Sequence, residues 1–473
     1  MLKRRPGSQI PAIVLAAILL AWPSMWNGYP LVFSDTGTYL SQAIHHYLGW
    51  DRPAIYSLFL YPLHFQFSLW PVVAAQALLT ACTLHLTRRV LWPQAPDWFL
   101  PAAAFGLAVC TSLPWHVSQV MPDVFTPLLV IAMTLLILAP DRLSRPELVW
   151  LTLFATFMIA AHQSHVPLAL ALLVGLLPLR HWLGAAPRGP ERWQRHWIAM
   201  LPPLVACLAL VAMNAVGHGR VSLSPFGNVF LLARVIEDGP GMIALRENCP
   251  AAGWRLCDEL DRLPATSDDF LWRADGALAR AGGAKQVSAE ASAILVAAWR
   301  ADPVGIVGAF FTHFGQQAMA FATGDGLEAW PRTVTPWIER DFPGSEQNAY
   351  AASRQTAGKM AVPDWLGQLH VIVAASGIAG CGGLLLRRRR DLASGFAVAA
   401  LLAVLCNAAI TGGLSGPHRR YQSRIVWLPA FVVMLAIPSM WRGSLAADAA
   451  AKGWLCVTSR LPSRLDILLL GEG

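Results

Sequence analysis

Apolar residues along this chain gather into long runs separated by short polar breaks, and several runs reach the roughly 17 to 25 residues that a bilayer-spanning helix needs. In order they are about Pro11 to Trp26, Ser68 to Thr87, Trp98 to Leu113, Val124 to Ala139, Leu148 to Ala161, Val166 to Leu179, Trp197 to Val216, Trp365 to Leu386, Leu392 to Ile410 and Ile425 to Trp441. The pattern predicts an all-α polytopic membrane protein with about ten transmembrane helices. Between the seventh and eighth runs lies the longest polar part, His218 to Asp364. The expected organisation is a transmembrane module over 1–217 with its first external loop, an extracytoplasmic segment with surface helices over 218–364, further transmembrane helices over 365–441, and a cytoplasmic tail over 442–473. Within the polar segment an apolar run, Pro303 to Phe321, is read as lying on the membrane surface, because a crossing there would invert every later loop. A weak amphipathic helix is expected at Leu461 to Leu470.

Composition supports the membrane reading and charge orients it. Of the 473 residues 55% are hydrophobic and only 14% charged, where a soluble chain carries about a quarter. The net charge of +8 is not spread as a nucleic-acid surface. Lys3, Arg4 and Arg5 precede the first run, and Arg88 and Arg89 follow the second. Arg142 and Arg145, then Arg180, Arg188, Arg192 and Arg195, then Arg387 to Arg390, occupy later breaks, as cytoplasmic loops do under the positive-inside rule. The first run lacks a small-residue cleavage site and reads as a retained helix rather than a signal peptide. Most of the eight cysteines sit singly in apolar runs, but Cys249 and Cys257 lie together in the polar segment, where an oxidising compartment would join them. No cysteine spacing suggests a structural zinc site.

With this topology the informative polar residues fall on one face. The first loop holds Phe33-Ser34-Asp35-Thr36-Gly37-Thr38-Tyr39, followed by a run to Tyr47 that reads as a helix along the bilayer surface, and then by Asp51 and Arg52. A short turn carries His116 and Asp123, a helical-hairpin tip carries His162-Gln163-Ser164-His165, and a late turn carries His418-Arg419-Arg420-Tyr421-Gln422-Ser423-Arg424. A carboxylate beside a membrane helix is costly unless solvated or employed. A transporter would place ionisable residues near mid-helix along a path, whereas here they sit at helix ends.

Taken together, Ser34-Asp35-Thr36-Gly37-Thr38-Tyr39, Arg52-Pro53-Ala54-Ile55-Tyr56, Met121-Pro122-Asp123-Val124-Phe125 and His418-Arg419-Arg420-Tyr421 make the chain similar to the polytopic GT-C class of membrane glycosyltransferases. The resemblance covers roughly residues 1–215 and the late turn. It implies sugar transfer from a polyprenyl-phosphate donor to an extracytoplasmic acceptor, with inversion, at a bacterial-type inner membrane. By resemblance Asp35 is the general base, and Asp123 orients the acceptor or assists. Arg52, His162, His165, His418, Arg419, Arg420, Tyr421 and Arg424 are expected to bind substrate, the late arginines holding the lipid phosphate. The first loop has one acid followed by Thr-Gly-Thr in place of an acidic-X-acidic pair, so a divalent metal remains an open cofactor and no metal ligand is assigned.

Plainer readings accompany these. Asp35 and Asp123 are also good helix-start residues, Arg52 could simply pair with Asp51, and the late cluster could anchor lipid headgroups. Two other functions use the same map: a glycan ligase or polymerase with a lipid-pyrophosphate donor, and a non-enzymatic lipid or glycan transporter. Neither needs an essential Asp35.

Overall fold

A computed structural model describes residues 9–183 and 192–437. The tail helix expected at Leu461 to Leu470, the clusters at Lys3 to Arg5 and at Arg188, and the end of the tenth run fall outside those residues. The fold is all-helical, and among the described residues the only strand-like pairing is an isolated parallel bridge between Leu31 and Gln119. Among the described residues five helices are long and apolar enough to cross a membrane: Trp70–Leu91, His165–Trp182, Trp197–His218, Asp364–Leu386 and Leu392–Leu414. A sixth crossing arises only if Ala284–Ala301 and Pro303–Met319, bent by 100° at Asp302, act as one span. By length and composition this is a multi-pass membrane protein.

Of the other runs among the ten expected, several fold into shorter helices, among them Ile10–Leu20, Phe99–Cys110 and Pro122–Leu138, and the tenth extends beyond the described residues. Phe125–Leu138 shows why the sequence misleads. All of its 14 residues are buried, and at 1.5 Å per residue it is about 21 Å long against a hydrocarbon layer of about 30 Å. It is the hub of the main core, packed by Trp70–Leu91, Arg145–Ala161, His165–Trp182 and Leu392–Leu414. A helix buried on every side is as uniformly apolar as one facing lipid.

Pro303–Met319 packs along Leu392–Leu414. Gly412 and Gly413 permit that approach, since a side chain at the first would meet Gln317 and the His313 backbone, and at the second the ring of Phe310.

The polar segment has a core of its own. Phe226, Val229, Leu232, Leu256, Phe270 and Val287 are among its buried members, contributed by Gly227–Glu237, Ser267–Trp272, Ala284–Ala301 and their connections. Cys249 and Cys257 are joined by a disulfide within it, S–S 2.09 Å.

The first loop is fastened on both sides. Leu31 donates its N–H to the Ser118 carbonyl at 3.0 Å and accepts from Val120 at 2.8 Å. The Gln355 side chain brackets Val32, accepting from its N–H at 3.0 Å and donating to its carbonyl at 2.7 Å. Helix Ser34–His45 then begins, with the Thr36 hydroxyl accepting from the Phe33 N–H at 2.9 Å and donating to the Val120 carbonyl at 3.0 Å. Gly37 lies under Thr333 and Trp337, where a side chain would collide with the Thr333 carbonyl. These anchors set the position of Asp35.

Candidate active site

Asp35 is in the first turn of its helix, but the cap is made by Thr36, so the carboxylate is free of backbone duty. Arg52 holds it instead. Its Nε donates to Oδ2 at 2.9 Å and its Nη2 to Oδ1 at 3.0 Å, while Nη1 donates to the Asp51 carbonyl at 3.0 Å. Arg52 therefore pairs with Asp35 rather than with the Asp51 carboxylate. The bidentate fork fixes the plane of the carboxylate.

Asp35 and Arg52 line a cavity of about 390 Å³, together with Asp51, His162, Ser164, His418, Arg420 and Tyr421. That volume is within the range of small-molecule sites, about 300 to 1,000 Å³. The cavity lies at one end of the bundle, where the Arg145–Ala161/His165–Trp182 hairpin turns and where Leu392–Leu414 ends. Burial raises the Asp51 carboxyl above its usual range, with Arg52 opposing the shift and Asp35 adding to it. His162, with Nδ1 2.8 Å from the Ser164 hydroxyl, is held well below the ordinary imidazole range by burial and then by the charge of Arg424.

The late turn divides its residues. Arg420 reaches the cavity: its guanidinium lies 3.6 Å over the Phe33 ring, Nη1 is 4.0 Å from Asp123 Oδ2, and its backbone N–H donates to Asp325 Oδ2 at 3.0 Å. His418 lines the same cavity and is fixed through its backbone by the buried Gln317 side chain, at 2.8 and 2.9 Å. Tyr421 packs edge-on against His418 with centroids 5.3 Å apart.

Three of the expected substrate residues, Arg419, Arg424 and His165, and the second expected catalytic acid, Asp123, stand elsewhere. Arg419 faces a second, more open cavity of about 740 Å³ with Asp325, Glu328, Met360 and Val362. Arg424 is fully buried, donating to Asp123 Oδ1 at 3.0 Å, Asn407 Oδ1 at 3.0 Å and Ser164 Oγ at 3.2 Å. Asp123 is likewise fully buried and is absent from the cavity wall. Its geometry is that of an acid holding two late arginines in place, not of one meeting an acceptor. His165 is committed to Thr126 Oγ1 at 2.7 Å and to the Met158 carbonyl at 2.6 Å, so it packs the hairpin.

The cavity wall also contains Phe230, Asp268 and Trp272, which no sequence motif marked. Trp272 carries the Arg52 guanidinium over its ring at 5.5 Å. The only prior signal was the polar-aromatic turn Ser267-Asp268-Asp269-Phe270-Leu271-Trp272 itself.

A divalent ion fits poorly. Such ions take several oxygen ligands, yet the Arg52 guanidinium sets a positive charge against both oxygens of Asp35, and among the described residues no group of three or more His, Cys, Asp or Glu is gathered as a metal site.

Fold and site define a class: a multi-pass helical membrane protein with a charged, aromatic-walled cavity at one end of its bundle. No family model matches the chain, and neither curated proteins nor solved structures yield a match.

Proposed function

We propose that this chain is a membrane-embedded glycosyltransferase of the GT-C kind, which moves a sugar from a polyprenyl-phosphate donor to an acceptor on the extracytoplasmic face of a bacterial-type inner membrane. The observation that carries this reading is the meeting of Asp35 and Arg52, from the first loop, with His418, Arg420 and Tyr421, from the late turn, around one cavity.

Asp35 is the general base. Each carboxylate oxygen has two lone pairs and Arg52 takes one on each, so the remaining lone pairs can accept the acceptor's hydroxyl proton. As that proton leaves, the acceptor oxygen bonds to the anomeric carbon and the bond from that carbon to the phosphate oxygen breaks. The sugar is inverted and the lipid departs as a phosphate. A positioned base contributes about 10²- to 10⁴-fold to such a step. Negative charge grows on the leaving phosphate, and Arg420 is the late cation that reaches the cavity. His418 and Tyr421 supply hydrogen-bonding groups beside it. Asp123 and Arg424 act behind the wall as positioning residues for Arg420. No step runs through a metal.

The test is transfer of a labelled sugar from its polyprenyl-phosphate donor by the full chain in nanodiscs. Asp35→Asn should remove transfer while the protein is still made and inserted. Full transfer by that variant would overturn Asp35 as the base, and no transfer by the unaltered chain would favour a ligase or a transporter.

A further inference from the structure

Part of the cavity wall, beyond Arg52 from Asp35, is aromatic. Phe230, on helix Gly227–Glu237, and Trp272, at the end of Ser267–Trp272, both line the cavity, and Trp50 of the first loop packs behind them. Ring centroids lie 5.5 Å apart for Trp50 and Phe230, 5.6 Å for Trp50 and Trp272, and 5.9 Å for Phe230 and Trp272. Trp272 nonetheless remains 44% exposed. Isolated surface aromatics need no explanation, but this one faces a cavity and shares its wall with Asp268, Ser267 and Ser224.

The Arg52 guanidinium fixes the spacing. It lies 5.5 Å over the Trp272 ring while donating to both oxygens of Asp35. The aromatic wall thus stands one guanidinium away from the carboxylate. A ligand on this wall needs an apolar face for the rings and a hydroxylated edge for Asp268 and the serines. A pyranose has both, since its axial C–H bonds form an apolar face and its hydroxyls project from the rim. An isoprenoid tail would leave Asp268 and the serines unused.

Resting on the transferase reading, we infer that the wall of Phe230, Trp272 and Asp268 is the acceptor subsite, and that the acceptor is itself a sugar, stacked on Trp272 with a hydroxyl turned to Asp35. The substrate is then a growing glycan or glycolipid rather than a bare polypeptide side chain.

Saturation-transfer NMR on the full chain in nanodiscs, without donor, tests this with methyl pyranosides of glucose, galactose, mannose and N-acetylglucosamine and their disaccharides. At least one should bind, with the strongest transfer to C–H protons of one ring face. Trp272→Ala should weaken that binding about five- to tenfold, the scale of one lost aromatic contact, and Trp272→Phe should restore most of it. Phe230→Leu, which keeps apolar bulk without a ring, supplies the same comparison if Trp272→Ala does not fold. No binding by any saccharide, or equal binding by the ring-deleted variants, would overturn the inference. Asp35-dependent transfer without saccharide binding would sink the subsite and leave the transferase. Wall-dependent saccharide binding with Asp35-independent transfer would keep the subsite and sink the assigned base.

Discussion

Asp35–Arg52 and Asp123–Arg424 are the same chemical pair in two settings. In the first, two hydrogen bonds of 2.9 and 3.0 Å join residues that keep 16% and 20% of their side-chain surface and face a cavity. In the second, a 3.0 Å bond joins residues 301 positions apart with 0% and 1% exposure. Contact geometry does not separate them, but burial does. A buried ion pair costs much to break because the survivor is left as an unpaired charge in a poor solvent. A partly solvated pair is worth little to folding and leaves lone pairs available to a substrate. One pair therefore ties the late turn to the middle of the chain, and the other, open to the cavity, is the one we propose for chemistry.

The largest effect should come from breaking the buried pair. Asp123→Ala is expected to cost about 3 to 5 kcal/mol, read as a lower unfolding midpoint in detergent, and Asp123→Leu with Arg424→Met should recover much of it. A loss below about 1 kcal/mol would make this pair no different from a surface one.

Next is the cation at the cavity. Arg420→Ala should lower the turnover rate by about 10²- to 10³-fold, as loss of a charge-stabilising donor does, in a labelled-donor assay.

The third prediction concerns pH. His116, whose Nε2 is 3.0 Å from Ser423 Oγ, is pushed down to about 4, first by burial and then by Arg424 and Arg420, with Asp123 opposing. Its folded pKa lies below the unfolded value, so the unfolded chain takes up the proton first and native stability falls as pH drops from about 6.5 toward 4. The slope is about 1.4 kcal/mol per pH unit for one such group, and His116→Gln should flatten the midpoint-versus-pH curve by that amount.

The smallest effect is expected at Arg419, which faces the second cavity. Arg419→Ala should change stability by no more than about 0.5 kcal/mol and leave transfer near the wild-type rate. A large loss of transfer would move the donor phosphate into that second cavity.

Much of this was legible along the chain, for physical reasons. Runs such as Leu392 to Ile410 had to be helices because apolar backbone in lipid must satisfy its own hydrogen bonds. Asp35, Arg52 and His418 to Tyr421 stood out because charge beside apolar runs is costly. What could not be read was depth and distance. Phe125–Leu138 carries the same apolar signal whether protein or lipid surrounds it. The Asp123–Arg424 tie and the arrival of Trp272 beside Arg52 depend on long-range packing, and the local motifs around these residues do not say which distant residue each will meet.

One paired measurement bears most directly on the division of labour between the two acids. Asp35→Asn and Asp123→Asn should each be assayed for sugar transfer and for unfolding midpoint in the same nanodiscs. Asp35→Asn should lose at least about 10²-fold in transfer with a stability change under about 1 kcal/mol, while Asp123→Asn should lose stability first and activity only as folded protein is lost. An Asp35→Asn protein that transfers sugar at the wild-type rate, or that fails by unfolding as Asp123→Asn does, would contradict the account.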